Sequence, residues 1–228
     1  MRVFTGRDIK THLVEKGVTE LFHANTVTTS ISFLKAGGLL SRGEVENRGM
    51  RQTPQLSDND DKIYNIWNDV FFDSCDIHHM LKVPNKYGPV CFVFSIDLLD
   101  DPTLPEIRIT KSNPYNWEKN NVDINYIEEQ YIDEISEYRK NDIAMHITLI
   151  DCHNHIPFSP YLKRIILDNP KLDNNDIFEC AKEKITNLIC QNNLECDLQV
   201  RNCTDICRCQ EKYSSFKENG IKYRFGIL

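Results

Sequence analysis

Residues 20–40, ELFHANTVTTSISFLKAGGLL, carry the reading of the fold. Val18 to Ala24 is β-prone, with Leu21 and Phe22 as its apolar pair, and predicts a strand. Thr28 or Thr29 caps a short helix running through Ala36, whose apolar face is Ile31, Phe33 and Leu34. Gly37-Gly38 stops that helix, because glycine alone takes the left-handed C-terminal conformation without strain. Leu39-Leu40 then returns the chain to the core.

On the N-terminal side, residues 6–16 read as a helix with Ile9 and Leu13 on one face and Gly17 as its stop. On the C-terminal side, residues 41–62 are polar and read as a long loop with at most one helical turn. Residues 63–72 read as a helix leading into a strand or turn. Val90 to Ile96 is apolar at every position to Phe94 and predicts a central strand buried on both faces. Further strands are expected at 106–110, 143–150 and 161–167, and helices at 124–140 and 176–191. The last segment, 222–227, alternates as a strand does. Strands and helices do not alternate regularly, which favours an α+β domain over a doubly wound sheet.

The chain has 228 residues, enough for one domain, here 1–228 with a Cys-rich C-terminal segment at 176–228. Its net charge of −7 argues against a broad basic surface for duplex nucleic acid. Positive charge is nevertheless concentrated at Lys35, Arg42, Arg48 and Arg51, a strip suited to a phosphate-bearing ligand. No stretch is apolar enough to span a membrane and none resembles a secretory signal, so a cytoplasmic location without a membrane partner is expected. Nine cysteines without such a signal argue for metal ligands or buried thiols rather than a disulfide framework.

The order strand, His23, helix, Gly-Gly and Leu-Leu resembles the opening of the ADP-ribosyltransferases, closest to the DarT-like toxins that modify DNA bases. The likeness is specific over about residues 20–42. Weaker likeness continues through Asp69–Asp73, Val90–Ile96 and Ile147-Thr148-Leu149. The resemblance implies a split mixed or antiparallel sheet with peripheral helices. It also implies NAD as substrate, a base of single-stranded DNA or RNA as acceptor, and a toxin or antiphage role with an antitoxin partner. Carried onto this sequence, it gives His23, Asn25, Thr26, Ser41 and Arg42 as NAD contacts. Two departures stand out: Asn25 occupies the family's threonine position, and His146 stands where the family has its catalytic glutamate. His146, Glu134 or Glu137 would then supply the base or the charge, with Arg51 assisting.

The residues themselves leave alternatives open. Arg48, Gln52 and Gln55 are a solvated loop, or they contact phosphate and base edges. Asp69, Asp73, Asp76 and His78 are turn and capping residues, or one wall of an acceptor cleft. Asp69, Asp73, His78 and His153 would suit a metal-dependent hydrolase. Cys196, Cys203, Cys207 and Cys209 would suit zinc, although they lack the usual paired Cys-x2-Cys spacing. Arg201, Arg208, Lys212, Tyr213 and Phe216 make a terminal packing segment or a base-stacking tail. The missing glutamate favours a second function, a non-catalytic binder of a nucleotide or base on the same fold.

Overall fold

The computed structural model describes residues 5–110, 113, 114, 117, 125, 126, 146–172, 176–203 and 206–227. Helix α1 (Gly6–Glu15) begins on a capping box, in which Thr5 and Asp8 satisfy each other's backbone amides. Strand β1 (Glu20–Asn25) leads directly into α2 (Val27–Ala36), whose first eight residues are all buried. Gly37, at φ 74°, ends α2 in the left-handed conformation expected of it. Strand β2 (Gly38–Leu39) follows, then two short helices, α3 (Arg42–Asn47) and α4 (Asp58–Ile63).

The remaining described elements are β3 (Val70–Asp73), α5 (Ile77–Leu81), β4 (Val90–Ser95), a 3-10 turn at Ile96–Asp100, β5 (Ile107–Thr110), β6 (His146–Leu149), β7 (Ile156–Pro157) and β8 (Leu162–Asp168). Helix α6 (Asp176–Gln191), β9 (Asp197–Arg201), α7 (Cys209–Ser215) and α8 (Glu218–Phe225) close the described chain. Seven strands form one sheet in the order β5-β6-β3-β1-β4-β8-β9, and β2 pairs with β7 as a separate ribbon. Among the described strands only β8 and β9 pair in parallel; every other pairing is antiparallel.

Strand β4 is buried at all six positions, as its unbroken apolar run requires. Phe92 stacks on Phe158 at 5.4 Å between ring centroids, and Phe94 meets Phe72 edge-on at 5.5 Å. Helices α2, α6 and α8 pack on one another. Strand β1 pairs with β4 along all six of its residues but registers with β3 at a single pair, Phe22 with Asp73. The two strands diverge beyond that pair, and the sheet is split there.

Four expectations need correction. Helix α2 opens at Thr26, so Thr28 and Thr29, expected as its cap, lie inside its first turn. The loop expected at 41–62 holds α3 and α4, each without an apolar stripe but with a polar start: the Ser41 hydroxyl accepts from the Glu44 amide at the first. The helix expected at 63–72 is instead the last residue of α4, a turn and β3. The strand expected at 222–227 is the second half of helix α8, where Ile221 and Phe225, four apart, are the buried pair. Of the helix expected at 124–140 only Asn125 and Tyr126 lie among the described residues, and Tyr126 forms an isolated antiparallel bridge with Thr110.

Candidate active site

A cleft of about 830 Å³ opens where β1 and β3 part. Strand β1 contributes His23 and Asn25, and β3 contributes Phe71 and Asp73. His146 of β6 reaches it across β3, and Arg42, Tyr223 and Arg224 line it from α3 and α8.

His23 spans the split: its Nδ1 lies 2.8 Å from the Phe71 carbonyl oxygen. A carbonyl can only accept, so Nδ1 carries the proton and Nε2 holds a lone pair. Burial lowers the His23 pKa from 6.5, against the Phe71 bond and the Asp73 charge, so the ring is neutral. Nε2 is buried and has no partner among the described residues. A neutral acceptor in that state calls for a hydroxyl or amide from a ligand.

Asp73 and His146 face each other in the antiparallel register of β3 and β6. His146 Nδ1 lies 2.7 Å from Asp73 Oδ1, and both side chains are about 15% exposed. The carboxylate orients the imidazole and leaves Nε2 as the basic atom. Arg42 bonds Asp58 at 2.7 Å through Nη2 and lies 5.2 Å from the centre of the Trp67 ring. Its Nε and Nη1 have no partner among the described residues. Two cleft carboxyls are pushed up by burial, Asp69 to about 7 and Asp61 to about 6.

Seven residues anticipated from sequence therefore lie on this one cleft: His23, Asn25, Arg42, Gln55, Asp69, Asp73 and His146. Others lie away from it. Thr26 is buried behind the wall, bonded to Thr29 and Thr53. The Ser41 hydroxyl donates to the Cys152 carbonyl. Arg48 pairs with Glu44, and Gln52 donates to the Arg42 carbonyl. Arg51 is exposed and is not among the lining residues. Asp76 pairs with Arg201. His78 turns toward Cys203 and Cys207. Glu134 and Glu137 lie outside the described residues.

The hydrolase constellation does not assemble: Asp69, Asp73, His78 and His153 form no metal-ligating group among the described residues. His153 is exposed beside Asp151. Tyr213 is fully buried and donates to Asp168, so it stacks no base. Sequence reading overlooked Lys86, Tyr87 and Asn113 as lining residues, together with Tyr223 and Arg224. For the last two the strand expected at 222–227 concealed the signal.

No protein-family model and no curated protein matches the chain. Solved structures do. DarT from Thermus sp. 2.9 in complex with ADP-ribosylated ssDNA is similar with a TM-score of 0.52, over 81% of this chain and 95% of that one, at 11% identity. Thermus sp. 2.9 DarT in complex with NAD+ gives 0.47 over 81% and 96%, at 13% identity. The likeness is one of fold: this chain is an α+β domain with the ADP-ribosyltransferase fold. No helix among the described residues is long and apolar enough to cross a membrane.

Proposed function

We propose that this protein is an ADP-ribosyltransferase that takes NAD in the β1–β3 cleft and transfers ADP-ribose to a base of single-stranded nucleic acid. The observation that carries the reading is His23, a neutral imidazole locked across the sheet split with an unmet acceptor at the cleft wall. The similar fold of a DarT seen with ADP-ribosylated ssDNA supports the choice of chemistry and of acceptor. His23 and Asn25 hold the nicotinamide riboside end. Arg42, with two unmet guanidinium nitrogens, and Arg224 hold the diphosphate.

In the reaction the bond from ribose C1′ to the nicotinamide nitrogen breaks, and its electron pair leaves with nicotinamide. A base nitrogen or oxygen attacks C1′ and gives up a proton, which His146 Nε2 accepts. Asp73 stabilises the positive charge developing on the ribose and on His146. The carboxylate that the family resemblance implies at the position of His146 is, in this reading, supplied by the neighbouring strand. The setting we propose is a cytoplasmic toxin or antiphage effector restrained by an antitoxin.

A second reading, a binder without transfer chemistry, is favoured by His146 standing in place of glutamate. Labelled NAD incubated with single-stranded DNA or RNA separates the two. Transfer with nicotinamide release, abolished in His23→Ala and reduced about 10²–10³-fold in Asp73→Asn, supports the enzyme. Nucleotide binding without release under any condition supports the binder.

A further inference from the structure

We propose that His78, Cys203, Cys207 and Cys209 bind one zinc ion, which fixes the C-terminal segment to the sheet. Their ligand atoms, one imidazole nitrogen and three sulfurs, all lie within 4.8 Å of one another. His78 Nε2 is 3.3 Å from Cys203 Sγ and 3.4 Å from Cys207 Sγ. In a tetrahedral site, Zn–S bonds of about 2.3 Å and Zn–N bonds of about 2.0–2.1 Å put nitrogen and sulfur roughly 3.6 Å apart. The two nitrogen–sulfur spacings therefore need to open by only a few tenths of an ångström to admit the ion. Three thiolates and one neutral imidazole are the ligand chemistry of structural zinc, and the four leave no open position for catalysis.

The surroundings of His78 supply what a ligand histidine needs. Its Nδ1 lies 2.7 Å from Asp168 Oδ2, which fixes the tautomer with the Nε2 lone pair toward the sulfurs. Asp168 is itself held by the Tyr213 hydroxyl at 2.8 Å and by Arg201. Helix α5 carries His78, Cys203 follows β9 and Cys209 opens α7, so the ion closes a loop of 125 residues from His78 to Cys203. The Arg208 amide donates to the Lys82 carbonyl at 2.8 Å and holds the same two segments together. Cys196, half-buried on the other side of β9, is not a member. Beyond α7 the chain runs into α8, which brings Tyr223 and Arg224 to the cleft.

The test uses the full chain purified in thiol reductant without chelator, with metal content measured by mass spectrometry. One zinc per chain is expected, released by a mercurial that titrates the thiols. Cys203→Ser and Cys207→Ser should lose most of the zinc, whereas Cys180→Ser, an exposed thiol on α6, should keep the full equivalent. Because the ligand variants could unfold, metal-free wild-type protein is also titrated with Co2+ alone. The absorption bands of tetrahedral cobalt with thiolate ligands are then expected, displaced by Zn2+. Substoichiometric zinc without a thiolate–cobalt spectrum overturns the assignment. So does a disulfide among the three cysteines, a stoichiometric metal other than zinc, or equal zinc loss in the Cys180→Ser control. None of these readouts depends on transferase activity.

Discussion

Replacing Asp69 by Asn should stabilise the protein, and increasingly so as the pH rises. Asp69 is 7% exposed and accepts one backbone hydrogen bond, from Asp151 at 3.0 Å. Burial pushes its pKa from 3.8 to about 7; the charge of Asp151 adds to the rise, and the Asp151 amide and Arg108 oppose it. A raised carboxyl pKa means that the folded chain keeps a proton the unfolded chain gives up. The stability it contributes is full below pH 3.8 and falls as pH climbs through about 7. Three units at about 1.36 kcal/mol each make a total on the order of 4 kcal/mol. Roughly 2–3 kcal/mol of that loss falls between pH 5 and 8. Asparagine preserves the acceptor for the Asp151 amide and cannot ionise, so the variant escapes the loss. Urea unfolding followed by tryptophan fluorescence at pH 5, 6.5 and 8 reads the difference directly. His23 has the opposite sign, since its lowered pKa makes folding lose stability as pH falls below 6.5, but it is common to both proteins and cancels. A difference that stays flat from pH 5 to 8, or a variant less stable at pH 8, would refute the argument.

Other perturbations test the frame and the site separately. Phe92→Ala removes a fully buried ring stacked on Phe158 and should cost about 3–5 kcal/mol in the same unfolding assay. Gly88 has φ 154°, and a Cβ there would stand 2.2 Å from the Asn25 carbonyl carbon and oxygen. Gly88→Ala should therefore destabilise by more than about 1 kcal/mol and weaken NAD binding, measured by calorimetry, through displacement of the β1 terminus. His23 is neutral down through its ordinary pKa of 6.5, so in Asp69→Asn, which removes the cleft carboxyl that titrates at about 7, NAD affinity should hold level from pH 8 to 6.5 and decline only at lower pH. A decline centred at 6.5 or above would mean that the His23 ring is not buried as described.

What was legible in the sequence follows from local physics. Strand β4 is apolar on both faces because it is central, and α6 shows the helical period plainly, so both were placed to within a residue. The polar helices α3 and α4 carry no stripe, only capping signals that also occur in turns. In α8 the residues Ile221, Tyr223 and Phe225 alternate as a strand does, yet the i,i+4 pair Ile221 and Phe225 is what the core takes up. Long-range contacts were the least legible. Sequence spacing groups Cys203, Cys207 and Cys209 with the neighbouring Cys196, whereas the histidine beside the three stands 125 residues before the first of them.

The same limit explains the carboxylate. Read along β6 alone, His146 is a position where a negative charge is missing. Strand pairing changes the question, because the antiparallel register places Asp73 directly opposite and in hydrogen-bond contact. Charge stabilisation falls off with distance and is indifferent to which strand carries the charge. A carboxylate on β3 can serve the ribose from within the same cleft, provided the β1–β3 split leaves its face open. The single registered pair at Phe22 and Asp73 is where that opening begins. On the proposed function, the split that would admit NAD and the pairing that would supply the charge meet at one residue, Asp73.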